Sequence, residues 1–192
     1  HEVLLVEKSE RLGGTIGFTD HDPYKVDYKN YKDLLIRRVK DRGIKLALGT
    51  EVSASQIDGF APDVIIAAVG ADAKKPALEG LENAVHALDA YDPSFRCGRR
   101  VVVVGGSNHA AETGVYLAAR DDVEKVTVLR VNAEGVTDPR AVNIIRRKMI
   151  ADGIGIVDDE RFVRIEPGCV VTDKDRYEAD TIVYHLGMEP RK

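Results

Sequence analysis

The residues best suited to chemistry form the turn Gly105-Gly106-Ser107-Asn108, which directly follows the apolar run Val101–Val104. Glycines between a strand and a helix let the backbone approach a pyrophosphate, and the helix N-terminus supplies free N–H groups. An amphipathic segment and a second β-branched run, Val126–Val128, come next. Since an apolar run without polar alternation is typical of a strand buried on both faces, this stretch predicts a parallel, nucleotide-binding βαβ unit.

A second group of candidate residues lies near the start of the chain. Glu7 closes a short apolar strand, Glu2–Val6, and Gly13-Gly14 follows it. An acidic residue at the end of the second strand of a dinucleotide-binding fold accepts hydrogen bonds from a ribose, and paired glycines permit close backbone approach. A solvated glutamate at a strand end is the alternative. Further on, Pro62–Gly70 predicts a buried strand that ends in small residues and Gly70.

Ser107 and Arg130 set the expected nucleotide preference. In G-x-G-x-x-G terms the three positions are Gly105, Ser107 and Ala110. Ala110 still allows tight packing, whereas Ser107 adds a side chain where the backbone should meet the pyrophosphate, although its hydroxyl can bond a phosphate. Arg130 ends the second strand and suits a 2′-phosphate, because it cannot accept from a ribose 2′-hydroxyl. NADPH is therefore favoured over NADH, and a degenerate site is the alternative.

The positions of the remaining histidines and cysteines indicate neither a catalytic residue nor a metal site. His109 and His185 lie near turn ends, where contact with a bound nucleotide is the open alternative and acid–base chemistry is not indicated. Cys97 and Cys169 lack metal-ligand or CxxC spacing. Reduced thiols and a cytoplasmic location are therefore expected.

The composition excludes two classes of partner. The 192 residues carry a net charge of −4, with 44% hydrophobic and 31% charged residues. A negative balance argues against nucleic acid as the main partner. No apolar run approaches the ~20 residues that span a bilayer, and no signal peptide pattern begins the chain.

Periodicity places the other elements. Tyr28, Tyr31, Leu35 and Val39 form one apolar stripe of a helix predicted over Tyr28–Arg42. The remaining predictions are the strands Ile44–Leu48, Glu51–Ser53, Ile154–Val157, Phe162–Ile165, Val170–Thr172 and Asp180–Tyr184, the loops Thr15–Val26 and Val136–Arg140, and the helix Ala141–Asp152.

These segments resemble a known family. VLLVEKSERLGG is similar to the VxVxExxxxLGG segment of two-dinucleotide-binding-domain flavoproteins, in which the Glu binds the adenosine ribose of FAD. VVVVGGSNHAAETGVYLA resembles VVVVGGGxVGCETAxYLA of the NADH:flavin oxidoreductase/2,4-dienoyl-CoA reductase family. Those Old Yellow Enzyme-like multidomain flavoproteins include enoate reductases and amine dehydrogenases, and the closing YHLGMEPR also fits them.

The resemblance implies an α/β, Rossmann-like two-dinucleotide-binding-domain flavoprotein fold, truncated at both ends. Residues 1–72 would be a partial FAD-binding domain without its first strand and phosphate loop, 73–98 a connector, and 99–192 the NAD(P)-binding domain. The cofactor-binding positions that it implies are Glu7, Lys8, Gly13, Gly14, Val52, Gly70, Gly105, Gly106, Ser107, Asn108, Ala110, Glu112, Arg130 and Gly187.

It also implies an oxidoreductase parent. That parent would bind FAD and NADP or NAD, and would relay electrons to a barrel that carries FMN and an iron–sulfur cluster. The fragment itself is expected to be colourless and inactive, and its unpaired sheet edge favours a homodimer. The alternative is a degenerate nucleotide-binding or assembly domain, as in amine dehydrogenases, with ADP in the FAD position and no nicotinamide.

Overall fold

A computed structural model describes residues 1–130 and 139–191 of the chain. The described residues form two compact units, His1–Gly70 together with Arg191, and Ala71–Pro190. Both units combine helices with parallel strands, and the predicted α/β, Rossmann-like fold class is confirmed. No helix in these two ranges is long and apolar enough to cross a membrane.

The first unit is built on a small parallel ribbon. Strand β1 (Leu4–Val6) pairs in parallel with β2 (Lys45–Ala47), and helix α1 (Val26–Asp41) connects them. A 3₁₀ helix at Gly14–Asp20 packs on α1. A second helix, α2 (Ala54–Phe60), follows. Because both strands are parallel, their carboxyl ends meet at one edge, which is where Glu7 lies.

Several elements of this unit differ from prediction. Glu51–Ser53 is not a strand, because Ser53 begins α2 in a reciprocal capping box with Gln56. The predicted buried strand Pro62–Gly70 is exposed and irregular; its Ile66 side chain is 86% exposed. Strands are buried only when neighbouring strands and a covering layer are present, and the structure describes no strand pairing for this run.

Helix α1 also departs from its predicted face. It begins at Val26, not Tyr28, and Tyr28, Tyr31 and Leu35 of the predicted apolar stripe are exposed. The buried residue is instead Lys32, whose Nζ donates to Asp20 at 2.5 Å. An apolar stripe is buried only where a partner surface faces it, and here the facing 3₁₀ helix presents a carboxylate.

The second unit is organised on a five-stranded parallel sheet. Its strands in spatial order are β4 (Val85–His86), β11 (Thr181–Tyr184), β5 (Arg100–Val104), β6 (Lys125–Leu129) and β7 (Gly155–Val157). Strand β5 is central, and Val101–Val104 are at most 2% exposed. The prediction that this apolar run is buried on both faces is confirmed.

Helices cover one face of this sheet. Helix α4 (Asn108–Ala118) joins β5 to β6, and helix α5 (Pro139–Ala151) leads into β7. Gly114 lets α4 lie close to the sheet, because a Cβ there would meet Val128 Cγ2 at 2.6 Å. Of the predicted loop Val136–Arg140, residues 136–138 lie outside the described part of the chain, and α5 begins at the next residue.

An antiparallel meander covers the other face. It consists of β8 (Phe162–Glu166), β9 (Cys169–Thr172) and β10 (Arg176–Glu178). Its Ile165 and Val170 join the buried cluster formed by Val102, Val104 and Leu129 of the parallel sheet. Outside this core, β3 (Ala71–Ala73) pairs antiparallel with β12 (Met188–Pro190), and the short helix α3 (Ala87–Ala90) follows β4.

Candidate functional site

The turn after β5 is shaped by close backbone packing. A Cβ at Gly105 would lie 2.4 Å from the carbonyl oxygen of His185 and 2.9 Å from Cβ of Ala110. Gly105 N–H donates to the carbonyl of Leu129 at 3.0 Å, which holds the turn against β6. Only glycine fits here, so the backbone is left bare at the sheet edge where Rossmann folds bind a pyrophosphate.

Ser107 begins helix α4. Its φ and ψ of −84° and 163° are those of an N-cap residue, and its Oγ accepts from Ala110 N–H at 3.4 Å. The same Oγ lies 3.2 Å from Nδ1 of His185, the residue that follows β11. The hydroxyl that the sequence offered to a phosphate is therefore engaged with the helix and with an imidazole.

His185 is a neutral imidazole at physiological pH. Burial, and then the neighbouring His109 and His86 rings, lower its pKa to about 4, against the opposing effect of Glu112. Glu112 is half-buried near the start of α4. The ring of His109 stacks on that of His185 with 5.1 Å between centroids.

Arg130 follows β6 and is paired with an acid that sequence reasoning did not anticipate. Arg130 Nη1 lies 3.3 Å from Asp158 Oδ1, and Arg146 Nη1 of α5 lies 2.7 Å from Asp158 Oδ2. Asn108 and Ala111 line the same small pocket as the two arginines. Two guanidiniums around one carboxylate leave a net positive charge beside the start of α4.

Asp158 had a readable signal in the sequence. It follows β7 just as Arg130 follows β6, and the two strands are parallel neighbours. Residues after adjacent parallel strands come together at one sheet edge. Arg146, which lies within α5, had no comparable signal.

Gly187 lies between β11 and β12. Its φ of 102° falls in a region that side chains rarely adopt, and its carbonyl accepts from Lys74 N–H at 3.0 Å. No contact between Gly187 and the turn at Gly105 is described. The other positions expected in the nicotinamide half lie around that turn.

In the first unit, Glu7 closes β1 as predicted. Its Oε1 accepts from Ser9 N–H at 2.8 Å and from Ser9 Oγ at 2.9 Å, and these two bonds lower the pKa of the carboxyl. Glu7 is thus a fixed carboxylate. Lys8 nearby is bound to exposed Glu51 at 2.8 Å, and Val52 is half-buried.

The glycines proposed as cofactor contacts in this unit, Gly13, Gly14 and Gly70, take conformations that favour glycine. Gly13 and Gly14 have φ of 119° and 51°, and a Cβ on Gly13 would lie 3.1 Å from Lys32 Cδ. Gly70 has φ of 79°, and its carbonyl accepts from Arg191 N–H at 3.0 Å. A bare backbone beside a fixed carboxylate at the ends of parallel strands suits a ribose and a phosphate.

Cys97 is half-buried and Cys169 is buried, and both are free thiols. Burial raises the pKa of Cys97, which makes it a poor nucleophile. Within residues 1–130 and 139–191, no group of three or more His, Cys, Asp or Glu side chains is arranged to hold a metal ion.

Comparison with known proteins identifies the family of this chain. The family model described as pyridine nucleotide-disulphide oxidoreductase matches residues 58–192. The chain is 29% identical over 149 residues to an NADH oxidase of Thermoanaerobacter brockii, a match that covers 74% of the chain and 23% of that enzyme. It is 28% identical over 137 residues to a cinnamate reductase of Clostridium sporogenes, where the match covers 68% and 19%. It thus spans about a fifth of these relatives.

A solved structure agrees with the sequence matches. A 2-naphthoyl-CoA reductase in complex with 2-naphthoyl-CoA superposes with a TM-score of 0.85 and 26% identity. The superposition covers 98% of this chain and 30% of that one.

Proposed function

The chain belongs to the pyridine nucleotide-disulphide oxidoreductase family, and from that premise we propose that it is the dinucleotide-binding part of a larger NAD(P)H-dependent flavin oxidoreductase. The family implies FAD and NAD(P) as cofactors. The proposed division is a partial FAD-binding domain over residues 1–72, a connector over 73–98 and the NAD(P)-binding domain over 99–192. In the parent, a bound nicotinamide would supply a hydride and the flavin would pass the electrons on.

One observation carries the nicotinamide assignment. The turn at Gly105 has no room for a side chain at that position, because a Cβ there would lie 2.4 Å from the His185 carbonyl oxygen. The same turn leads into the N-terminus of α4. A backbone kept bare by such contacts, with a helix N-terminus behind it, fits a pyrophosphate. Gly105, Gly106 and Asn108 would hold it, while Ser107 fixes the start of the helix.

Arg130 supports NADPH as the preferred nucleotide. It directly follows β6, where a dinucleotide-binding fold contacts the adenosine ribose, and Arg146 adds a second guanidinium through the shared Asp158. A 2′-phosphate would take over hydrogen bonds that the carboxylate now accepts.

Calorimetry of the whole chain with NADPH and NADH tests this proposal. We expect NADPH to bind more tightly, and we expect Arg130→Glu to remove most of that preference. Arg161→Glu is the matched control, because Arg161 is exposed and pairs with Asp173 of the meander, away from the turn at Gly105. Absence of binding by either nucleotide at millimolar concentration would refute the nicotinamide assignment.

For the FAD half, Glu7 would accept from the adenosine ribose beside Gly13 and Gly14. Lys8, Val52 and Gly70 are the further proposed contacts. With residues 1–72 proposed as only part of an FAD-binding domain, we expect the isolated chain to be colourless. A purified sample with tightly bound flavin absorbance would overturn that expectation.

The parent's other groups are proposed from the resemblance and from the size of the relatives. The matched region is 23% of the NADH oxidase and 19% of the cinnamate reductase. A separate barrel with FMN and an iron–sulfur cluster would receive the electrons. Metal and flavin analysis of the full-length polypeptide would test this, and a protein without iron would contradict it.

A degenerate domain is the second candidate. Ser107 Oγ is bonded at 3.2 Å to His185, and Arg130 is already paired with Asp158. Such a domain would bind ADP in the first unit and no nicotinamide, as part of an assembly. Titration with ADP distinguishes it, since ADP binding without NADPH binding favours this candidate.

A further inference from the structure

Three imidazoles form a row beside the glycine turn. His86 ends β4, His185 follows β11, and His109 lies in the first turn of α4. The centroid of His185 is 5.7 Å from that of His86 and 5.1 Å from that of His109. The row runs from a ring in the core, since His86 is 7% exposed, to a ring at the surface, since His109 is exposed.

The inner ring has an unsatisfied polar atom. Leu88 N–H donates to His86 Nδ1 at 3.3 Å, so the neutral ring carries its proton on Nε2. This Nε2 is buried and has no hydrogen-bond partner in the described part of the chain. A buried donor without an acceptor is unfavourable, and this one belongs to the ring that neighbours His185 at the carboxyl end of the sheet.

The middle ring lies against Ser107 through one of its two nitrogens. Ser107 Oγ accepts from Ala110 N–H and lies 3.2 Å from Nδ1 of His185, and we assign its hydroxyl proton to that nitrogen. With this assignment the neutral ring carries its own proton on Nε2. Burial and the two flanking imidazoles hold the pKa of His185 at about 4, so this donor persists at neutral pH.

The sheet order decides which half of a dinucleotide meets these rings. Strand β5 carries the pyrophosphate turn, with β6 on one side and β11, then β4, on the other. The adenosine ribose belongs to the end of β6, where Arg130 lies. The other nucleotide half must therefore extend over the ends of β11 and β4, which carry His185 and His86.

Resting on the proposed nicotinamide function, we propose that His185 and His109 form a binding face for the nicotinamide mononucleotide half of NADPH. His185 donates from Nε2 to a ribose or phosphate oxygen of that half, and the exposed His109 ring flanks it at the helix N-terminus. The two rings confer affinity for this half alone and take no part in proton transfer.

Ligands that separate the two halves test this inference. Calorimetry on the whole chain would compare NADPH with 2′,5′-ADP, which lacks the nicotinamide half. The variants are His185→Ala, His185→Gln, whose amide places a donor near the position of Nε2, and Arg130→Ala as the control for the adenosine half. Thermal unfolding by circular dichroism would verify that each variant is folded.

We expect His185→Ala to weaken NADPH binding about tenfold, the effect of one lost hydrogen bond, and to change 2′,5′-ADP binding less than about twofold. His185→Gln should restore part of the NADPH affinity, and Arg130→Ala should weaken both ligands. Nicotinamide mononucleotide should shift the ¹³Cε1 resonances of His185 and His109, while 2′,5′-ADP should not.

Equal affinities of the wild type and His185→Ala for NADPH would overturn this inference and leave the proposed function intact. Equal weakening of both ligands by His185→Ala, with no rescue by His185→Gln, would also overturn it, because the ring would then only support the turn. If the wild type binds no NADPH, the proposed function itself fails.

Discussion

Acidification should destabilise the second unit through His185. In the folded protein, burial and the adjacent His109 and His86 hold the pKa of His185 at about 4, whereas the unfolded chain keeps the ordinary value of 6.5. As the pH falls below 6.5, the unfolded chain takes up a proton that the folded chain refuses. Stability is therefore lost between pH 6.5 and about 4, and no further loss from this group occurs below that.

The magnitude follows from the two pKa values. Each pH unit between them corresponds to about 1.4 kcal/mol, which gives about 3 kcal/mol as an upper limit. The ring is only half-buried, so water screens part of this and we expect about 2 kcal/mol. That is a large fraction of the ~5–15 kcal/mol by which domains are stable.

Urea unfolding at several pH values between about 7 and about 4, at constant ionic strength, measures this loss. His185→Gln is the matched control, because it cannot titrate while it retains a hydrogen-bonding side chain. Protonation of carboxyls whose pKa is lowered in the folded state, such as Asp180 beside Arg100, also destabilises the protein in acid. This effect is the same in the wild type and in His185→Gln. The difference between the two curves therefore isolates His185.

Parallel curves for the wild type and His185→Gln would refute the assignment. So would an NMR titration in which the ¹³Cε1 resonance of His185 moves with a midpoint near the ordinary 6.5. A midpoint near 4, together with a wild-type loss that exceeds the variant's, supports a buried, neutral imidazole beside the turn.

Three further substitutions test the packing. Gly105→Ala should destabilise the protein by about 2–4 kcal/mol in chemical unfolding, because its Cβ would meet backbone, while Gly59→Ala, with open space around it, should not. Lys32→Met should lower thermal stability by about 1–3 kcal/mol because it breaks a buried ion pair, and Lys29→Met, whose pair is half-exposed, by less than about 0.5; equal effects would contradict this. Ile66→Lys should increase solubility without a change in melting temperature, and a clear loss of stability would show that this side chain is packed.

The central βαβ unit was predictable because its signals are local. Val101–Val104 has no polar residue, the glycines follow at once, and Val126–Val128 repeats the pattern, so the strands and their burial could be predicted. Pro62–Gly70 has a similar local pattern and is nevertheless exposed. The difference is that burial of a strand depends on neighbours far away in sequence, about which the run itself carries no information.

Helix α1 shows the same limit. Its periodicity correctly indicated a helix, because helical hydrogen bonds form within the segment. Which side became buried depended on what packs against it, and the 3₁₀ helix brings Asp20 to Lys32. The prediction of a helix was therefore confirmed, whereas the prediction of its buried face was wrong.

The candidate site also combines features that are local in sequence with contacts that are distant in sequence. The sequence predicted that Gly105 opens the turn. It did not predict that Ser107 caps the helix, although a capping residue acts within a few residues of the chain. The partner of Ser107 is His185, 78 residues away, and that of Arg130 is Asp158, 28 residues away. These long-range contacts decide which groups remain available to a bound nucleotide. The Ser107 hydroxyl is engaged by His185, so the imidazole takes its place as the polar group at the turn. The Arg130 guanidinium is paired with Asp158, so it can bind a phosphate only after it releases that carboxylate. The proposed preference for NADPH thus depends on a competition between two anions for Arg130, and removal of Asp158 should strengthen 2′-phosphate binding only if that competition exists.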